Sequence, residues 1–200
     1  MDKIVFLDRD GTINEEVHYL YQPEDLQILP GVPRAMKAFR DAGYKVVVVT
    51  NQAGVARGYY SCADVERLHA YLNEQLQKEG AWIDHFFYCP HHPEHGIGEY
   101  KTECTCRKPG IGMFQMAEEF YEVDKARSYM IGDKLLDIEA GNRYGVTGIL
   151  VGTGYGASIH RQQADNKEEW IYEFYAEDLM GAARIIMQRE GREKSDGLSR

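Results

Sequence analysis

The sequence predicts a three-layer, Rossmann-like α/β fold, a mainly parallel sheet with helices on both faces. Three observations predict it. Apolar, β-rich runs alternate with helical patterns along the chain. Four consecutive valines within residues 45–50 suit a central parallel strand, buried on both faces. Polar, glycine-containing segments follow the apolar runs: DRDGT after the first, TNQAG after the valines, and GDKLLD near Ile131. Ligands of open α/β sheets bind outside the carboxyl ends of the strands, where these segments fall.

The elements follow in order. Residues 3–7 form a short β-branched strand. Residues 31–42 read as a helix, with Ala35, Met36, Ala38 and Phe39 on one side and Gly43 as the stop. The valine strand is residues 45–50. Residues 61–78 carry the clearest helix: Ser61 and Asp64 make an S-x-x-D capping signal, Val65, Leu68, Leu72 and Leu76 form the stripe, and Gly80 ends it. Residues 83–89 read as a strand. Residues 90–110 break the rhythm; rich in His, Pro, Gly and Cys, they predict a long structured loop. Next come a helix over 111–121, a strand over 128–131, a helix over 135–144 and a strand over 147–151. Residues 153–169 read as loop, 169–175 as an edge strand and 176–189 as a final helix. One domain is expected over residues 1–190, and the polar residues 191–200 are expected to fray.

Two hundred residues bury a sizeable core, and 44% apolar with 28% charged residues is ordinary soluble composition. No window approaches the run of about 18 apolar residues that spans a bilayer. Asp2, Asp8 and Asp10 interrupt any signal-peptide core, so the expected location is cytoplasmic. The net charge of −9 has the wrong sign for a nucleic-acid partner. A small anionic ligand then needs a local cationic pocket or a metal. Cysteines stand at 62, 89, 104 and 106, and clustered thiols in a reducing cytosol point to metal binding or catalysis.

Asp8 and Asp10 close the first strand, and side chains two residues apart on an extended segment point the same way. Two ionised carboxylates brought together raise each other's pKa unless a cation sits between them. Mg²⁺, held by oxygens and a substrate phosphate, is the expected cation, with Asp133 supplying a further oxygen. The competing reading, Asp8 as a turn cap and Asp10 as an Asx-turn residue before Gly11, leaves the other strand-end motifs without a reason. Thr50 and Asn51 can donate hydrogen bonds to a phosphoryl oxygen, and Lys108 can neutralise its charge. Arg107 can hold a second anionic group with its planar fork. Cys89-Pro-His91 and Cys104-Thr-Cys106 are two C-x-[HC] pairs, a closed tetrahedral set typical of structural Zn²⁺, with His92 and His95 competing for the histidine position. Cys62 reads as structural.

FLDRDGTIN, VVVVTNQAGVARG, CRKPGIGM and MIGDKLLD resemble the four ordered motifs of the haloacid-dehalogenase-like phosphatases. CPHHP followed by CTCRKP resembles the zinc-containing branch of heptose-bisphosphate phosphatases and related histidinol-phosphatase domains. The resemblance implies Asp8 as the nucleophile and Asp10 as the general acid and base, with Thr50 and Lys108 stabilising the phosphoryl group. It implies Mg²⁺ on Asp8, the Asp10 backbone carbonyl and Asp133, and Zn²⁺ on Cys89, His91, Cys104 and Cys106, in a zinc loop over residues 89–110. Asn51, Gln52, Arg107, Glu16, His18 and Tyr19 are the expected substrate contacts. Between Thr50 and Lys108 there is too little chain for a large cap domain, so an open site is expected. His18 stands where relatives often carry Gly, and Ala53 where many carry Ser. The expected activity removes the 7-phosphate of a heptose bisphosphate; the alternatives are histidinol-phosphate hydrolysis and a non-catalytic zinc-stabilised binding module. A monomer is expected.

Overall fold

The computed structural model describes residues 1–167 and 169–197, with side chains described up to Gly191. In chain order the elements are β1 (Lys3–Leu7), α1 (Val32–Asp41), β2 (Tyr44–Asn51), α2 (Ala53–Ala56), α3 (Cys62–Lys78), β3 (His85–Cys89), α4 (Gly112–Ala117), β4 (Tyr129–Gly132), α5 (Leu135–Tyr144), β5 (Thr147–Val151), α6 (Gly156–Asn166), β6 (Phe174–Ala176) and α7 (Leu179–Gly197). All strand pairs are parallel, in the order β3-β2-β1-β4-β5-β6.

Alternate residues of the central strands feed two separate cores. Val5, Leu7, Val46 and Val48 pack with Val32, Met36, Phe39, Leu72 and Leu76 and with Leu179 and Ile186. Ile4, Phe6, Val47 and Val49 pack on the other face with Met113, Phe114, Ala140 and Tyr144. Both faces of β1 and β2 are therefore dry, which is why their sequences read as unbroken apolar runs. The capping signal of α3 forms as a reciprocal box between Ser61 and Asp64.

Several expectations need correction. Residues 153–169, expected as loop, contain α6, which buries only Gly156 and Gln163 and so shows no apolar stripe. The edge strand is shorter and later than expected, at Phe174–Ala176, and the last helix starts at Leu179 rather than at 176. The helix expected over 111–121 is confined to Gly112–Ala117. The four-residue helix α2 was not expected. The expected tail, 191–200, falls largely on residues whose side chains, or whose structure altogether, lie outside the described residues. Among the described residues no helix is long and apolar enough to cross a membrane.

The chain builds β1, β2 and β3 outward in one direction and then returns to place β4, β5 and β6 on the other side of β1. The crevice beyond the carboxyl ends of β1 and β4 is the topological switch point, where such sheets bind ligands.

Candidate active site and metal centre

Asp8 leaves the end of β1 and Asp133 the end of β4, and the pairing of Leu7 with Ile131 sets them side by side. The Asp8 N–H donates to Ile131 O at 3.0 Å. Asp137, in the first turn of α5, completes a buried cluster. One carboxylate oxygen from each of Asp8, Asp133 and Asp137 lies within 4.8 Å of the others. Lys108, 2% exposed, enters from the loop after the cysteine pair. Its Nζ lies 2.9 Å from Asp8 Oδ1, 2.6 Å from Asp137 Oδ1 and 2.6 Å from Val49 O. Lys134 Nζ lies 3.3 Å from Asp133 Oδ1 and 3.1 Å from Glu16 Oε2, so four carboxylates face two ammoniums and the site carries a formal charge of −2, the complement of one divalent cation.

Electrostatics agree with a cation there. Burial, reinforced by the neighbouring charge of Asp8, pushes Asp133 up to about 7. Burial pushes Asp137 up to about 6, with Lys108 pulling against it. Burial also acts against the Lys108 ammonium, but Asp137 and Asp8 outweigh it and its pKa is raised. Asp133 Oδ1 is buried and accepts no hydrogen bond, its one charge partner being Lys134 Nζ at 3.3 Å, while its Oδ2 accepts the Tyr155 N–H at 2.9 Å. Gly11 and Gly154, both with positive φ, flank this carboxylate; a Cβ on either would overlap it. A hard, oxygen-seeking ion such as Mg²⁺ fits a buried oxygen without a hydrogen bond in an all-carboxylate set.

Asp10 departs from the simple two-carboxylate picture. The chain turns just beyond it, the Arg9 carbonyl accepting the N–H groups of Thr12, Ile13 and Asn14. Its carboxylate lies outside the three-acid cluster and is balanced by a side chain rather than an ion. Arg9, wholly buried, donates from Nε and Nη2 to Asp10 Oδ1 and from Nη2 to Oδ2 at 2.9–3.1 Å. Asn14 and Gln52 donate to the same carboxylate. Burial would raise the Asp10 pKa, but Arg9 and these hydrogen bonds outweigh it and hold it below the usual carboxylate range. Arg9 Nη1 donates to His69 Nε2 at 3.1 Å, and burial, then the Arg9 charge, hold that imidazole neutral.

The structure places the other expected residues as follows. Thr50 is buried, and its Oγ1 accepts from Gln52 Nε2 at 3.0 Å, leaving the hydroxyl proton free to donate. Gln52 is itself buried, and its Oε1 accepts from Tyr60 and Arg9. Asn51 makes a reciprocal pair with the Lys108 backbone, accepting N–H at 3.0 Å and donating to O at 3.1 Å. Both amides expected as substrate contacts are hydrogen-bonded to the site's own groups. Glu16 Oε2 lies 3.1 Å from Lys134 Nζ. His18 and Tyr19 are exposed, and the Tyr19 ring meets Tyr59 edge-on. Arg107 donates to His91 O and lines a cleft of about 630 Å³ with Pro93, Glu103 and Arg143.

The cysteine pairs converge. Sγ atoms of Cys89, Cys104 and Cys106 lie 3.2–3.5 Å apart, and His91 Nδ1 lies 3.6 Å from Cys106 and 3.9 Å from Cys89. Zinc–sulfur bonds of about 2.3 Å set tetrahedral sulfurs about 3.8 Å apart, so the cluster needs only slight expansion. His92 Nδ1 instead accepts the N–H groups of Glu94 and His95. Of the three candidate histidines, the cluster contains His91.

Sequence reasoning missed Asp137, Arg9 and Lys134. The signal for Asp137 was its place in D-K-L-L-D, where a helix starting just after Asp133 turns a first-turn acid back to the same edge. Nothing in the sequence distinguishes the buried Arg9 from an ordinary surface arginine.

A pH prediction follows for Mg²⁺-free, zinc-loaded protein. The Asp133 pKa lies above its unfolded value, so the folded chain retains a proton that the unfolded chain has released. The linked stability is lost as pH rises through about 7. The variant Asp133→Asn cannot ionise, so its melting temperature should gain on the parent's as pH rises from about 4 to about 7, and the difference should level off above that. Excess Mg²⁺ should reverse the order, because only the parent keeps all three acids. A difference independent of pH would contradict the assignment.

Residues 105–182 match the model of a family described as HAD-hydrolase-like. The chain is 48% identical over 154 residues to the D-glycero-beta-D-manno-heptose-1,7-bisphosphate 7-phosphatase of Haemophilus ducreyi, covering 76% of this chain and 84% of that protein. It is 42% identical over 163 residues to the D-glycero-alpha-D-manno-heptose-1,7-bisphosphate 7-phosphatase of Photorhabdus laumondii, covering 81% and 89%. Among solved structures, the D,D-heptose 1,7-bisphosphate phosphatase from B. bronchiseptica, complexed with magnesium and phosphate, superposes with a TM-score of 0.79 at 32% identity, over 94% of this chain and 99% of that one.

Proposed function

Because the chain belongs to the heptose-bisphosphate phosphatase branch of the haloacid-dehalogenase-like hydrolases, we propose that it removes the 7-phosphate of D-glycero-D-manno-heptose 1,7-bisphosphate as a Mg²⁺-dependent phosphomonoesterase. The observation that carries this reading is the −2 cluster of Asp8, Asp133, Asp137 and Glu16 with Lys108 and Lys134 at the switch point of the sheet. Relatives named for both the alpha and the beta anomer lie at similar identity, so the anomer is left open.

In this reading Asp8 attacks phosphorus, the bond from phosphorus to the sugar oxygen breaks, and Asp10 gives that oxygen a proton. Water then attacks the aspartyl-phosphate while Asp10 takes its proton, and phosphate leaves with Asp8 restored. Arg9 keeps Asp10 ionised in the free enzyme, so the first proton arrives with the substrate. A phosphate monoanion beside an ionised Asp10 holds the same proton as a dianion beside the neutral acid. Lys108 and the Thr50 hydroxyl stabilise the phosphoryl oxygens as charge builds up. Mg²⁺, held by Asp8, Asp133, Asp137 and the Asp10 carbonyl, would neutralise the acids and polarise the phosphoryl group. Zn²⁺ on Cys89, His91, Cys104 and Cys106 would fix the loop that delivers Arg107 and Lys108. Arg107, beside its cleft, suits the second phosphate of a bisphosphate.

Phosphate release over a panel of heptose bisphosphate, hexose phosphates and histidinol phosphate tests this. Heptose bisphosphate should lead, the activity should vanish in a chelator, and it should return with added Mg²⁺. Turnover of histidinol phosphate without turnover of any sugar phosphate would move the assignment to the other leaving group.

A further inference from the structure

The ammonium of Lys134 stands between two carboxylates from different parts of the site. Its Nζ lies 3.1 Å from Glu16 Oε2 and 3.3 Å from Asp133 Oδ1, on the open side of the acid cluster. Glu16 belongs to the segment between the first motif and Tyr21. That segment contains two successive non-glycine residues with left-handed backbone, His18 at φ 48° and Tyr19 at φ 59°. Such a backbone persists only where surrounding contacts over-determine it. Glu16 supplies two of them at once, accepting the His18 N–H on Oε1 and pairing with Lys134 through Oε2. The opposite end of the segment is tied down by Leu20, buried, whose carbonyl accepts from Arg9. Tyr155 is the other neighbour of the ammonium, its ring centroid 5.1 Å away.

We propose that Lys134 is a positioning residue that couples occupancy of the acid cluster to the placement of residues 15–20. The proposal rests on the magnesium reading of that cluster. Without a cation the ammonium is shared between Asp133 and Glu16. A divalent ion on Asp133 repels the ammonium and takes its partner, so Lys134 transfers its full pairing to Glu16 and tightens the segment beside the substrate. Coupling of this kind is reciprocal: a segment held by Lys134 withdraws the competing cation from Asp133 and favours metal binding.

The signs are distinctive. Lys134→Met removes a positive charge beside a cation site, so substrate-free, zinc-loaded protein should bind Mg²⁺ more tightly, by roughly tenfold at low salt. Glu16→Gln leaves the ammonium to Asp133 alone and should weaken Mg²⁺ binding. Calorimetric titration at about pH 8 reads both affinities. Hydrogen exchange reads the segment: amides over residues 15–20 should slow when Mg²⁺ binds the parent and show no Mg²⁺ response in either variant. Lys134→Arg should restore the response. In steady state, Lys134→Met should raise KM more than it lowers kcat, since the chemistry of Asp8 is untouched. Equal Mg²⁺ affinity in Lys134→Met and the parent, or a Mg²⁺ response surviving in Glu16→Gln, would overturn the inference while leaving the phosphatase reading in place. A parent that binds no Mg²⁺ would overturn both. If Lys134→Met does not fold, Glu16→Gln decides by the same two readouts.

Discussion

Asp8→Asn is expected to abolish phosphate release, by at least about 10³-fold in kcat, without unfolding the protein. The amide keeps the shape of the carboxylate but lacks the electron-rich oxygen that must bond to phosphorus. Asp8 shares Lys108 with Asp137 and lies beside Asp133, so its loss also relieves repulsion among the three acids in the metal-free protein. Lys108 retains Asp137 and Val49 O as partners. The melting temperature without Mg²⁺ should therefore stay level or rise, while Mg²⁺ affinity drops. The measurements are single-turnover phosphate release and thermal unfolding with and without Mg²⁺. Full activity in this variant would reject the aspartyl-phosphate route.

Loss of zinc is the second large effect. A Cys104→Ser/Cys106→Ser variant should fall from one zinc per chain to none by metal analysis, and its melting temperature should drop sharply. Structural zinc sites contribute on the order of 10 kcal/mol to the folded state of small zinc-dependent peptides. Here the segment they hold has little else. It runs through turns and one 3₁₀ turn at Gly98–Tyr100, and it packs Gly110 and Gly112 against the backbone of Thr105 and Cys106. The chemistry suffers because Lys108 follows directly on Cys106 and Arg107, and its Nζ must reach Asp8. Activity should fall by at least about a hundredfold, as for removal of a transition-state hydrogen-bond donor. Harsh chelation should reproduce the loss, whereas a mild chelator that strips only Mg²⁺ should leave residues 89–110 ordered. Unchanged zinc content in the double variant would reject the ligand set.

Legibility in the sequence followed the strength of the local signal. β1 and β2 stood out because central parallel strands are apolar on both faces. α3 stood out because its capping box and leucine stripe are both local. The zinc ligands stood out as paired spacings; spacing alone left His91, His92 and His95 open, the family resemblance favoured His91, and the converged cluster contains it. α6 was illegible because a helix that buries only Gly156 and Gln163 leaves no period to detect. β6, three residues at the sheet edge, is too short to alternate. The balancing of Asp10 was not legible, because its countercharge is the side chain of Arg9, and nothing local shows that this arginine turns inward and is wholly buried.

By itself the sequence determined the kind of chemistry: carboxylates, a lysine and a hydroxyl placed after apolar runs, and four soft ligands in two close pairs. Residue types and short spacings carry that information, because ligand hardness and strand or helix period are local properties. Only the tertiary structure decided which charges neutralise which. Strand order β3-β2-β1-β4-β5-β6 puts Asp8 beside Asp133, Lys108 between Asp8 and Asp137, and Lys134 on Glu16. Several of those pairs join residues a hundred or more positions apart. Their partners are set by parallel pairing and by the penalty for leaving a buried charge uncompensated, and neither can be read from a window of neighbouring residues.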